Sequence, residues 1–197
     1  RDPPSIDHRA VSPCLGSVRC HNAGFSVTRV HSFPPICEGE PRVLILGSMP
    51  GKASLLAQQY YAHPRNAFWP IMAALWGFDA TLGYGARCAQ LVRRGVALWD
   101  VLRTCTRAGS LDSDIEPDSI VPNDLAALLL RHGSINHVFF NGAMAETSFR
   151  RHVLPGLSDG LAEIPRTRLP STSPANAGFS FERKLAHWRV ITGGPVR

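Results

Sequence analysis

Val43-Leu44-Ile45-Leu46-Gly47-Ser48-Met49-Pro50-Gly51 is an apolar run that ends in a turn bounded by two glycines. Four consecutive aliphatic side chains read as a strand buried on both faces, the pattern of a parallel sheet. In such sheets ligand pockets form at the carboxyl ends of strands, and glycine lets the backbone approach a ligand closely. The chain continues through Tyr60-Tyr61-Ala62-His63-Pro64-Arg65 to Asn66-Ala67-Phe68-Trp69-Pro70. A core loop has no need of so many aromatic, cationic and amide groups, so the stretch reads as one wall of an active site.

Outward from it, apolar residues recur at helical spacing over 68–76, with Pro70 in the first turn, where a missing amide hydrogen costs little. Further helices are expected at 84–94, 124–131, 143–152 and 181–191, and further strands at 96–101, 135–140 and 163–169. Pro165 makes the last of these an edge strand or an irregular start, and the acidic run 112–118 reads as a loop. Strands alternating with helices imply an α/β fold, a parallel sheet with helices on both faces. The loops leaving the strands at Gly47, Asn141 and Leu169 then share one edge of that sheet.

A chain of 197 residues with 44% hydrophobic content can build one substantial core. Residues 1–40 hold five prolines and no clear period, so a loosely ordered extension is expected before a domain spanning 41–197. The net charge of +6 and a pI near 9.5 suit a polyanionic partner, and are also compatible with an ordinary basic soluble protein. Lys52 and Lys184 are the only lysines among 21 basic residues, and the guanidinium fork of arginine matches phosphate oxygens in pairs.

The five cysteines, Cys14, Cys20, Cys37, Cys88 and Cys105, are widely spaced without a Cys-x-x-Cys pair, and His21 and His31 fall irregularly among them. No metal site is expected. No apolar run approaches a membrane span and no signal peptide is visible, so a cytoplasmic protein with no membrane association is expected. Gly47 and Gly51 enclose three residues and Ala53 follows Lys52, which fails the phosphate-binding P-loop twice. There is no Gly-x-Ser-x-Gly elbow and no His-Glu-x-x-His helix.

Gly47-Ser48-Met49-Pro50-Gly51 with Tyr60-Tyr61 and Asn66-Ala67-Phe68-Trp69, then Phe139-Phe140-Asn141-Gly142, then Leu169-Pro170-Ser171-Thr172-Ser173-Pro174-Ala175-Asn176, resembles the uracil-DNA glycosylase superfamily. Within it the deoxyinosine (hypoxanthine) DNA glycosylase branch is the most similar. The likeness spans about 42–188 and includes Trp99-Asp100-Val101-Leu102 and Gly109-Ser110-Leu111-Asp112-Ser113.

It implies a three-layer α/β/α sandwich around a central, mainly parallel four-stranded sheet. The implied activity is excision of hypoxanthine from DNA containing deaminated bases, by a monomer with no cofactor. Two positions depart from the wider superfamily. Met49 stands where an Asp or Asn commonly positions water, and Leu169 stands where a histidine often opens the third motif. In the hypoxanthine branch the catalytic asparagine lies further along the first motif, which matches Asn66.

Cleaving a base from deoxyribose builds positive charge on the sugar and negative charge on the base, so donors aimed at the base lower the barrier. The nucleotide must first leave the duplex for a pocket that stacks and reads it. Tyr60, Tyr61 and Phe68 are candidate stackers or simple core. Asn141 can accept from N1–H of hypoxanthine while donating to O6, provided neighbours lock its amide; otherwise Asn141-Gly142 is a turn. Asn66 can orient water or cap the following helix.

Gly47, Ser48, Pro50 and Gly51 form the first-motif loop. The hydroxyls of Ser171, Thr172 and Ser173 suit phosphate contacts, and Pro174 and Ala175 suit a minor-groove wedge. Enzymes that also cut the strand use an amine nucleophile, and Lys52 is the only lysine near this stretch, so a monofunctional enzyme is expected. The alternatives are a uracil or mismatch-thymine glycosylase, and a catalytically silent binder of damaged DNA.

Overall fold

The run at 43–46 becomes an inner strand of a parallel sheet because both of its faces meet apolar layers. The computed structural model describes residues 28–109 and 111–193. In chain order the elements are β1 (Thr28–His31), β2 (Val43–Gly47), α1 (Lys52–Ala57), α2 (Phe68–Trp76), α3 (Tyr84–Val92), β3 (Val96–Asp100), β4 (Leu102–Arg107), β5 (Val121–Pro122), α4 (Leu125–Arg131), β6 (His137–Asn141), α5 (Ala143–His152), α6 (Asp159–Ala162), β7 (Arg166–Leu169) and α7 (Phe181–Trp188).

The central sheet has the order β3-β2-β6-β7 with every pairing parallel. Leu44, Leu46, Ala97, Val138 and Phe140 pack on one face with α4 and α5. Ile45, Leu98, Phe139 and Leu169 pack on the other with Phe68, Trp69 and Met72 of α2, Leu91 of α3 and Trp188 of α7. This is the expected three-layer sandwich. Each fully buried Leu, Ile or Phe contributes about 1.5–3 kcal/mol of burial free energy, so the two faces of β2 anchor both helical layers.

A second, antiparallel sheet, β1-β4-β5, was not expected. The 96–101 run stops at Asp100, and after Val101 alone the chain enters β4. Part of the expected loose extension 1–40 is also firmly placed. β1 pairs with β4, Ile36 bridges the outer edge of β3, and the Phe33 carbonyl accepts from the Tyr60 hydroxyl at 3.1 Å and from Trp99 Nε1 at 2.9 Å. These contacts cover an edge that would otherwise be open to other strands. Residues 1–27, with Cys14, Cys20 and His21, lie outside the described residues.

Boundaries shift modestly. The 84–94 helix ends at Val92, the final helix gives way to a 3₁₀ turn over Arg189–Thr192, and the acidic run forms two 3₁₀ turns. The last strand is shortened to Arg166–Leu169 and lies at the sheet edge, as Pro165 suggested. Asp124 caps α4 by accepting from Ala127 N–H at 3.0 Å. Among the described residues no helix is long and apolar enough to cross a membrane.

Candidate active site

The carboxyl ends of β2, β3, β6 and β7 open onto a cleft of about 900 Å³. Strand register sets what stands there. Gly47 pairs with Asp100, and Leu46 with Phe140, so Asp100, Gly47 and Asn141 end three adjacent strands at one level. Two residues earlier Ile45, Leu98 and Phe139 share one core cluster, so by the two-residue period the three ends project to that same face. Gly47 sits in the middle without a side chain. A Cβ there would collide with Asp100 Oδ1 and come within 3.0 Å of the Tyr61 hydroxyl.

Asn141 is held by the third-motif loop. Thr172 N–H donates to Asn141 Oδ1 at 2.8 Å, and Asn141 Nδ2 donates to Thr172 Oγ1 at 2.9 Å. The positive backbone angle of the turn falls on Gly142, at φ 100°, so Asn141 itself stays in strand conformation. A side chain at Gly142 would also press on Ser171 Cβ at 2.9 Å.

Asn66 lines the cleft, and its Oδ1 accepts from Phe68 N–H at 2.9 Å. The N-cap of α2 is Ala67, so Asn66 closes a turn one residue before the cap rather than being the cap itself. Ala67 N–H donates to the Thr172 carbonyl at 3.0 Å, tying the Asn66 segment to the loop that grips Asn141. Tyr61 also lines the cleft, with φ 56°, a left-handed angle uncommon for a bulky residue. Its ring stacks on Phe68 at 4.1 Å between centroids.

Most of the expected site residues converge on this cleft, including Gly47, Ser48, Pro50 and Gly51 of the first loop and Ser171, Ser173 and Pro174 of the third. Two differ from expectation, Phe68 and Thr172. Phe68 is fully buried and absent from the cleft wall, so it backs Tyr61 rather than stacking on a ligand. Tyr60, open to either reading, borders the cleft but is buried core, with its hydroxyl spent on the Phe33 and Pro34 carbonyls. Thr172 is also fully buried with its hydroxyl engaged by Asn141, so it is a clamp and not a phosphate contact. Ser48 Oγ donates to Asp112 Oδ1 at 2.7 Å, pinning the first loop to the acidic one.

The third-motif loop is supported from below. Lys184, buried in α7, donates from Nζ to the Ser173 carbonyl at 3.3 Å, and Trp188 Nε1 donates to the Pro170 carbonyl at 3.0 Å. The first-motif loop has a similar prop in the buried Arg107, which donates to the Pro50 carbonyl. Among the described residues no three His, Cys, Asp or Glu side chains gather as a metal site.

Asp100 also lines the cleft, and sequence reading assigned it no role of its own. It is 3% exposed, and burial, reinforced by the Asp112 carboxylate and opposed by Arg107, pushes its pKa up to about 8. Burial and Asp100 together raise the Tyr61 phenol well above its ordinary value. The signal available in the sequence was an acidic residue ending an otherwise apolar strand.

Residues 34–191 match the family model described as the uracil DNA glycosylase superfamily. A protein from Methanosarcina barkeri named hypoxanthine DNA glycosylase is 36% identical over 111 residues, 56% of this chain and 69% of its own. Another of that name from Methanosarcina acetivorans is 31% identical over 160 residues, 81% of this chain and 95% of its own. The solution NMR structure of a Methanosarcina acetivorans protein, assigned provisionally to the uracil DNA glycosylases, superposes with a TM-score of 0.68 at 30% identity. That match covers 84% of this chain and 97% of the other.

Proposed function

Because the chain belongs to the uracil DNA glycosylase superfamily, we propose that it excises hypoxanthine from DNA, hydrolysing the C1′–N9 bond of deoxyinosine as a monofunctional, cofactor-independent monomer. The observation that carries this reading is the Asn141 carboxamide, fixed by Thr172 at both ends and standing at the cleft. With its oxygen and nitrogen unable to exchange places, it offers one remaining lone pair and one remaining N–H. That pairing suits the N1–H and O6 of hypoxanthine and mismatches adenine, which reverses donor and acceptor.

The flipped base stacks on Tyr61, which Phe68 supports from behind. Asn66 orients water toward C1′ through its second oxygen lone pair, the first being taken by Phe68 N–H. The hydroxyls of Ser171 and Ser173 and the chain's excess of arginine supply phosphate contacts. Uracil presents the same amide edge at N3–H and O4, so it is a secondary substrate on this reading.

The test incubates the purified protein with matched oligonucleotides carrying inosine, uracil or mismatched thymine, then treats them with alkali to cut abasic sites. Fastest cleavage at inosine supports the proposal. Faster uracil or thymine release reassigns the substrate, and binding without alkali-labile product identifies a silent binder.

A further inference from the structure

Asp100 occupies an expensive place. It is 3% exposed, it lines the cleft, and its Oδ2 has no hydrogen-bond partner. A buried, unpaired carboxylate is costly enough that such a group takes up a proton instead. The surroundings favour that outcome. Burial and the neighbouring Asp112 push toward the neutral acid, while Arg107 pulls the other way only in part. Tyr60 and Tyr61 are the other titratable groups coupled to it, and burial keeps both as neutral phenols. The hydroxyl of Tyr61 is itself buried, beside Asp100 and the Asn141 carboxamide.

Gly47 makes that placement sterically possible. The space its side chain would fill is taken by Asp100 Oδ1, with the Tyr61 hydroxyl beside it, so the β3 carboxyl lies over the glycine next to the strand that ends in Asn141. A base read by Asn141 therefore has the Asp100 carboxyl over the neighbouring glycine.

We propose that Asp100 is the general acid of base excision, donating its carboxyl proton to a ring nitrogen of the departing hypoxanthine. The inference rests on the hypoxanthine reading above and adds a residue that reading does not use. As the C1′–N9 bond breaks, its electron pair goes to the purine. The Asp100 proton goes to a purine nitrogen, so the base leaves neutral. Water bonds to C1′ and gives up a proton, which restores the Asp100 carboxyl. Nothing is consumed beyond water. This acid also makes good the histidine absent at Leu169, because a neutral leaving base needs no cation beside it.

The experiment is single-turnover excision of inosine between about pH 6 and pH 9.5 by wild type and Asp100→Asn, alongside binding to a duplex carrying 2′-fluorinated deoxyinosine, which resists hydrolysis. Wild type should lose about tenfold per pH unit above a midpoint near 8. D100N should bind the fluorinated duplex as wild type does, react about 10²-fold more slowly at neutral pH and lack that midpoint. Titration of the substrate's own N1–H is common to both proteins and cancels in their ratio.

A flat wild-type profile overturns the proposal, as does a D100N variant that keeps the wild-type rate, or one that slows yet retains the same midpoint. If D100N folds but fails to bind the fluorinated duplex, Asp100 serves binding rather than proton transfer and the proposal falls. If wild type releases no hypoxanthine at any pH, the substrate reading falls and this proposal with it, an outcome distinct from failure of D100N alone.

Discussion

Thr172 holds the Asn141 carboxamide at both ends, its N–H on Oδ1 at 2.8 Å and its hydroxyl under Nδ2 at 2.9 Å. The amide cannot turn over without breaking both bonds, so its outward face has a fixed order of acceptor and donor. Thr172→Val keeps the backbone bond and the shape but leaves Nδ2 without a partner. A neutral hydrogen bond of this kind contributes about 0.5–1.5 kcal/mol. Hypoxanthine excision should therefore fall by up to about tenfold, and the preference for hypoxanthine over adenine should narrow in a competition assay. An unchanged preference would mean that other groups fix the amide.

Asn141→Asp presents only acceptors when ionised. It keeps the contact to N1–H but repels O6 and the charge growing on the base. Protonation restores a donor, so single-turnover excision by N141D should be depressed at neutral pH and recover partly as pH falls. N141A has no donor to regain and should be slow throughout. Equal rates for both variants and wild type would return Asn141 to a turn residue.

The two roles assigned to Asn66, acceptor for Phe68 N–H and the proposed holder of water, can be separated. Asn66→Ala should lower single-turnover excision by about 10²–10³-fold, on the scale of losing one oriented polar group. It should also cost about 0.5–1.5 kcal/mol of stability, because Phe68 N–H loses its acceptor. Asn66→Asp keeps that acceptor and should recover the melting temperature without recovering wild-type rate. A stability loss with full activity would leave Asn66 as a turn-closing acceptor alone.

The pKa of Asp100 also fixes a sign for stability. Folded, the group titrates near 8; its ordinary value is 3.8. Between those values the folded state holds a proton that the unfolded chain has released, so this group's contribution to stability is complete below about pH 4 and declines up to about pH 8. Asp100→Asn does not titrate. Its melting temperature should exceed that of wild type by a margin that widens from pH 4 to pH 8 and closes again in acid. A constant margin would place the group in a solvated setting.

What the sequence made legible follows from how each element is buried. β2, β6 and α2 carry continuous or periodic apolar residues because both of their environments are core, and they were readable to within a residue or two. β4 reads Leu102-Arg103-Thr104-Cys105-Thr106-Arg107, and its Arg107 looks solvated but is 2% exposed. An arginine gives no sign in sequence that it will sit under the Pro50 carbonyl. Phe68 and Thr172 were misplaced for a related reason. Residue type marks what a side chain can do, while helix phase and loop path decide whether it meets ligand or core. Asp100 stood in the Trp99-Asp100-Val101-Leu102 run without a role, because an acid at the end of an apolar strand reads equally well as the start of a turn.

The single residue Val101 between β3 and β4 makes the two sheets one lever. The Asp100 carbonyl is also tied to Asn123 Nδ2 at 2.9 Å, and Val101 accepts from Asn123 N–H at 2.8 Å. The far end of that lever is weighted by β1, which zips along β4 from Thr28 to His31 and precedes residue 34, where family likeness begins. A chain trimmed to the family boundary would thus lose a counterweight and bare the β4 edge. Trimming residues 1–33 should lower excision and promote self-association in light scattering. The working unit of this enzyme would then begin before the residues that identify its kin.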